Sequence, residues 1–188
     1  MNWYDQLVNI GWLAFWLYWV IAAVKAKQDV RVNRLNSRWP RLFVTLVLIV
    51  VLFAPIFKTI NMSHITQAHT QLIKLTGLAI FYAGLGLAVW ARRHLGDNWG
   101  MPMATKKNPR LITSGPYRVV RHPIYSGLLL AILGTALVKN YAWLFILVLT
   151  LVFAVYSSVN EEKLLTKQFP KTYPAYKNRT KMLIPYIY

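Results

Sequence analysis

The sequence has no cysteine among its 188 residues. That excludes a disulfide framework, a thiolate metal site, a cysteine nucleophile and a cysteine-linked lipid anchor. Acids are almost as scarce: five Asp and Glu stand against 22 Lys and Arg, for a formal charge of +17. Charged residues of either sign make up 14% of the chain, while 56% is apolar and the mean hydropathy is +0.37. This composition excludes intrinsic disorder and is too apolar for an ordinary soluble domain. The chain also lacks internal repeats, low-complexity tracts and Gly/Ser linkers. No Gly-rich strand-to-helix turn signals a Rossmann domain, and no nucleic-acid-binding motif accompanies the basic charge.

What remains is a set of five apolar stretches, 7–24, 42–57, 72–90, 124–138 and 141–159, separated by the charged residues. At about 1.5 Å per helical residue they cover most or all of a roughly 30 Å hydrocarbon core, the fourth being the shortest. The predicted fold class is therefore all-α, an integral membrane bundle of five transmembrane helices. The first stretch is read as a retained helix, because residues 1–6 carry Asp5 and no Lys or Arg, unlike a signal peptide. Segments 25–41, 92–121 and 163–181 hold 19 of the 22 basic residues. Since cytoplasmic loops collect Lys and Arg, the N-terminus is expected outside and the C-terminal tail in the cytoplasm. The same bias accounts for the net charge through topology and attraction to anionic lipids, with no role for nucleic acid.

Two parts follow from this layout. Residues 1–60 form two spans with a basic cytoplasmic loop. Residues 61–188 form a core of three spans, a cytoplasmic loop 91–123 and a tail 160–188. The loop contains Pro102, Pro109 and Pro116 with Gly96, Gly100 and Gly115, which forbids one continuous helix. The tail is expected to start helically and break at Pro170 and Pro174.

Few residues are available for chemistry. Asp5 and Asp29 lie in terminal or basic segments, and His64 and His69 lie in an outer loop where no metal role is expected. Asp97 and His94 after the third stretch, Arg121 and His122 before the fourth, and Glu161 and Glu162 after the fifth all fall at one membrane face. The fourth and fifth stretches form a hairpin, so Arg121-His122-Pro123 and Glu161-Glu162 must meet at similar depth. Polar groups there are costly unless paired or functional. The spacing admits two readings, an interfacial ion-pair clasp or a ligand site. Gly84 and Gly86 in the third stretch lie about 200° apart around a helix; taken alone they fit helix packing better than ligand contact.

Gly115-Pro116-Tyr117-Arg118, then Arg121-His122-Pro123-Ile124-Tyr125-Ser126-Gly127, then Glu161-Glu162 one hairpin later, resemble the isoprenylcysteine carboxyl methyltransferase and phospholipid methyltransferase superfamily of integral membrane enzymes. The resemblance extends upstream through residues 90–99 and downstream through Phe169, Tyr173, Tyr176 and Pro185, with Gly100 and Pro170 departing from the usual pattern. It implies a methyltransferase that uses S-adenosylmethionine without a Rossmann domain and releases S-adenosylhomocysteine. Carried over residue by residue, it associates Gly84, Gly86, His122, Tyr125, Glu161 and Glu162 with the cofactor. Arg121 and the two glutamates are the catalytic candidates, and Arg92, Arg93, Trp99 and Arg179 the acceptor-binding ones. The implied acceptor is a lipophilic or prenylated molecule entering from the membrane. A carboxylate is favoured by the surplus of basic residues, with lipid-amine or small-thiol acceptors and a non-enzymatic lipid-binding adaptor as alternatives.

Overall fold

A computed structural model describes residues 2–26, 70–98 and 110–187. The predicted stretch 42–57, most of the basic segment 25–41, His64, His69, Trp99 and Gly100 lie outside the described residues. Those described are helical: α1 (Trp3–Ala26), α2 (Gln71–Leu95), α3 (Pro123–Val138), α4 (Trp143–Gln168) and α5 (Tyr173–Arg179), with short 3-10 turns at Gly96–Asn98 and Gly115–Arg118. Among the described residues there is no strand, only an isolated parallel bridge between Val120 and Lys181.

Three of these helices are long and apolar enough to cross a membrane, over Trp3–Ala23, Gln71–Leu95 and Trp143–Gln168. Their outward residues are apolar as well, including Ile10, Leu13 and Leu17 on α1 and Phe145, Val148 and Val152 on α4. A surface of this kind suits hydrocarbon and not water. Helix α3, with 16 residues, is about 24 Å long and falls short of a full hydrocarbon core. It is instead the most enclosed of the apolar helices, with nine buried residues.

The termini are set by local chemistry. Thr70 caps α2, its hydroxyl accepting from the Ile73 amide, while Arg92, Arg93 and His94 occupy the last turn, where cations complement the helix dipole. Pro123 opens α3, a position where its missing N–H costs nothing. Pro174 likewise lies in the first turn of α5, so the expected break at this proline is a helix start. The tail does begin helically, as the unbroken continuation of α4 through Glu161 and Glu162 to Gln168, and the helix ends just before Pro170.

Close packing joins α2 to α3 through small residues seven apart on each. A Cβ on Gly84 would lie 2.5 Å from the Ala131 amide nitrogen and 2.6 Å from the Gly127 carbonyl; one on Gly134 would lie 2.5 Å from the Phe81 nitrogen and 2.6 Å from the Gly77 carbonyl. Gly77 and Gly84 thus face Gly134 and Gly127, and the antiparallel helices touch backbone to backbone. Phe81 fills the space between, its ring edge over Gly11 of α1. Around it Tyr4, Val8, Phe15, Leu78, Leu85, Ala88, Ala131 and Val138 complete the apolar core. Polar ties hold α1 to the pair: the Trp12 indole donates to the Thr135 hydroxyl at 3.1 Å, and the Tyr82 hydroxyl to the Leu7 carbonyl at 2.9 Å. The pairing fixes α3 in depth and direction, which places Arg121 and His122 beside the end of α2.

Candidate functional site

The polar end of the bundle is assembled from four pieces: the end of α2, the turn leading into α3, the last turns of α4, and α5 with the segment after it. At Gly115 φ is +59°, and a Cβ would lie 2.7 Å from the His94 ring. The left-handed φ favours glycine there, and the His94 ring closes over the space its missing side chain leaves. His94 Nε2 lies 2.9 Å from the Ser114 hydroxyl, closing the turn against α2. The Tyr117 hydroxyl donates to the Ala91 carbonyl, and the Tyr176 hydroxyl donates to the Tyr117 carbonyl at 2.7 Å. Arg92 is buried at the same end, with Nη1 donating to the Gly96 carbonyl at 3.2 Å.

The segment after α5 runs as a strap along the start of α3. The Arg121 and His122 amides donate to the Lys181 and Met182 carbonyls at 2.8 and 3.1 Å, and the Ser126 hydroxyl donates to the Leu183 carbonyl at 2.5 Å. These bonds leave the two side chains between them, Arg121 and His122, directed at α4.

There the predicted meeting of Arg-His-Pro with Glu-Glu takes place, and it divides the glutamates. Arg121 Nε donates to Glu162 Oε1 at 2.6 Å, and Lys177 Nζ reaches Glu162 Oε2 at 2.8 Å. Nη1 of Arg121 also donates to the carbonyls of Lys177 and Thr180. Glu162, with a side chain only 3% exposed, is thereby neutralised by two cations. Glu161 is different: its side chain is 25% exposed, Oε1 accepts from the Tyr125 hydroxyl at 2.8 Å, and Oε2 lies 3.5 Å from His122 Nδ1. The other imidazole nitrogen lies 3.5 Å from Glu162 Oε1, so His122 bridges the pair.

Burial alone would lower the His122 pKa, but the flanking carboxylates of Glu161 and Glu162 outweigh it and hold the pKa above its ordinary value. The protonated imidazole therefore stabilises the fold fully below the unfolded-state pKa of about 6.5, and this contribution is lost as pH rises through the raised folded-state value. We expect the melting temperature in detergent to fall as pH is raised from 6 through the neutral range, and His122→Gln to flatten that limb. A limb of equal slope in His122→Gln would assign the effect elsewhere. Burial also raises the phenols of Tyr117 and Tyr173, and that of Tyr176 to about 12. All three serve as neutral hydrogen-bonding groups. The Tyr173 and Ser158 hydroxyls are fully buried with no hydrogen-bond partner among the described residues.

The other expected site residues differ in their surroundings. Gly84 is enclosed against the α3 backbone, as helix packing requires, whereas Gly86 is exposed with nothing within 4 Å of a Cβ. Arg179 is exposed, its Nε donating to the Ala175 carbonyl of its own helix, and Arg93 is exposed at the end of α2. Arg121 is engaged by Glu162 and two carbonyls, which removes it as a loose cation for a ligand. Lys177, Thr180 and Ser126 were not singled out from the sequence. Only the alternation of basic and small polar residues after Pro174 hinted at Lys177, and nothing there specified the strap.

The sequence carrying these motifs matches known proteins. The phospholipid methyltransferase family model matches residues 72–172, which spans α2, α3 and α4 with both charged motifs. Over 106 residues, 54% of this chain and 48% of the relative, the sequence is 36% identical to the cobalt-zinc-cadmium resistance protein CzcN of Cupriavidus metallidurans. The chain spans about half the length of that curated relative. With more than half of its length matched, including the Arg-His-Pro and Glu-Glu motifs that meet in the structure, the chain belongs to the phospholipid methyltransferase family.

Proposed function

We propose that the protein is an S-adenosylmethionine-dependent membrane methyltransferase acting on a lipophilic, isoprenylcysteine-like carboxylate. The observation carrying this reading is the asymmetry of the glutamate pair. Glu162 is neutralised by Arg121 and Lys177, while Glu161 is partly accessible and held by a tyrosine and a histidine. A carboxylate so placed complements a cationic ligand, and charge-assisted contacts are the strong ones. The family supports a methyl-transfer role.

The residues present fit the cofactor. Glu161 suits its positive part, Tyr125 offers a ring beside it, and the buried hydroxyls of Tyr173 and Ser158 hold hydrogen-bonding capacity unused among the described residues. When bound, S-adenosylmethionine supplies a methyl group on a sulfonium for in-line displacement, leaving S-adenosylhomocysteine. Glu161, His122 and Tyr125 bind and orient it in this scheme. Glu162, with Arg121 and Lys177, holds the α4 end against α3 and the strap. Arg92 and Arg93 orient the acceptor, and the apolar outer surfaces of α2 and α4 give it a lateral route. A carboxylic acid is already ionised at neutral pH, so no general base is needed.

A phospholipid amine is the second reading, favoured by the family's description; Glu161 would then receive the proton released on methylation. The product separates the two. Methyl-labelled product from the best lipophilic acid is expected to release its label as methanol in mild alkali, as an ester does. Label that survives alkali identifies an N- or S-methyl product and removes the carboxylate assignment. The five-span topology with an outside N-terminus belongs to the same proposal; terminal tags reporting one compartment would contradict it.

A further inference from the structure

The strap after α5 carries an exposed apolar face that the methyl-transfer scheme leaves unused. Met182 and Leu183 are buried, at 9% and 2% exposure, while Ile184, Tyr186 and Ile187 stand out at 47%, 90% and 74%. Val119, on the chain that pairs with the strap, is 46% exposed. Isolated exposed apolar residues are ordinary, but three within four positions of the strap, with a fourth on the segment bridged to it, are a surface seeking a cover.

Depth identifies that cover. The strap's backbone is bonded to Arg121 and His122, where the apolar helix α3 begins, and then to Ser126, one turn further in. Ile184, Tyr186 and Ile187 follow the Leu183 carbonyl that Ser126 grips, so they lie at the height where the helix meets the boundary between headgroups and hydrocarbon. Charge points the same way: residues 163–187 hold six Lys and Arg and no Asp or Glu. Lys181 and Arg179 on the strap and its helix, and Arg118 beside Val119, are exposed. An apolar edge rimmed by cations and free of acids is the pattern of a segment lying in an anionic interface.

We infer that residues 181–187 are an interfacial anchor that docks on anionic lipid, inserting Ile184, Tyr186 and Ile187 among the acyl chains while Arg118, Arg179 and Lys181 meet the headgroups. The contact does not depend on the methyl-transfer reading. It does use the segment whose backbone holds Arg121 and His122, so lipid and the ion cluster share one support.

The absence of cysteine makes the test direct. Full-length protein carrying Tyr186→Cys, labelled with a fluorophore at that thiol, is reconstituted in vesicles of phosphatidylcholine alone or with phosphatidylglycerol. Quenching is then compared between a water-soluble and a lipid-borne quencher. In phosphatidylglycerol vesicles the ratio of lipid-borne to aqueous quenching is expected to rise on the order of tenfold, and to fall again at high salt or when Lys181→Glu is added. A label open to the aqueous quencher in both membranes overturns the anchor. A label equally lipid-buried in both overturns the choice of anionic lipid. Because the readout is quenching and not turnover, a failure here leaves the proposed activity standing, and an inactive protein leaves this test intact.

Discussion

Glu161→Gln is expected to weaken binding of S-adenosylhomocysteine by about 10- to 100-fold, the loss of one or two charge-assisted contacts, and to lower the melting temperature only by its share of the His122 contribution, less than Glu162→Gln does. Glu162→Gln should do the reverse in its first effect. Its carboxylate is enclosed and held by Arg121 at 2.6 Å and Lys177 at 2.8 Å. Neutralising it strands the Arg121 guanidinium, itself 8% exposed, between α3 and the strap. Removing one partner of a buried pair costs about 3–5 kcal/mol, which for a chain of this size lowers the melting temperature by about 6–20 °C. Affinity falls in that variant only as far as the fold loosens. The contrast distinguishes a ligand from a brace within two adjacent residues. Equal loss of stability in both variants would make the whole cluster a clasp. Loss of affinity at full stability in Glu162→Gln would exchange the two roles.

The second large effect lies at the helix seam. A side chain at Gly84 meets the backbone of α3 at 2.5 Å, where no rotamer change relieves the overlap. Gly84→Ala is expected to cost about 1–3 kcal/mol, and Gly84→Leu to separate α2 from α3 and abolish folding in detergent. Two positions away, Gly86 is exposed and nothing lies within 4 Å of a Cβ. Gly86→Ala should be neutral or stabilising by about 0.5–1 kcal/mol, since alanine is the better helix former. If Gly86 also contacts the cofactor, as the family resemblance implies, Gly86→Leu will fold normally and bind weakly. Thermal unfolding and ligand affinity measured on the four proteins decide both points. A stable Gly84→Leu would remove the seam from the account.

The difference between these glycines explains what was legible in the sequence. Hydropathy identifies apolar helices because burial in lipid needs only composition, and the hairpin argument brought Arg121 and His122 to Glu161 and Glu162 because both ends of α3 and α4 must return to one depth. Partner assignment inside the cluster was not available by that route. It depends on Lys177, carried on the short helix α5, and on the Thr180 carbonyl, which opens a strap that no periodicity marks and that is held mainly by backbone hydrogen bonds, to which many sequences are equivalent. Similarly, Gly84-Leu85-Gly86 draws the eye as a motif, while the packing repeat joins Gly84 to Gly77 two turns earlier and is completed only by Gly127 and Gly134 on the other helix. Pro174 was misread because proline stops a helix already under way but is favourable in the first turn, and only the preceding backbone distinguishes the two.

An equilibrium titration of the purified, lipid-reconstituted protein with S-adenosylhomocysteine tests the central claim most directly. The account predicts saturable one-to-one binding that Glu161→Gln weakens and an adenosine-free thioether of similar size does not imitate. Absence of saturable binding by a protein whose melting curve is cooperative would contradict it and leave the charged cluster as a brace for a membrane protein of another kind.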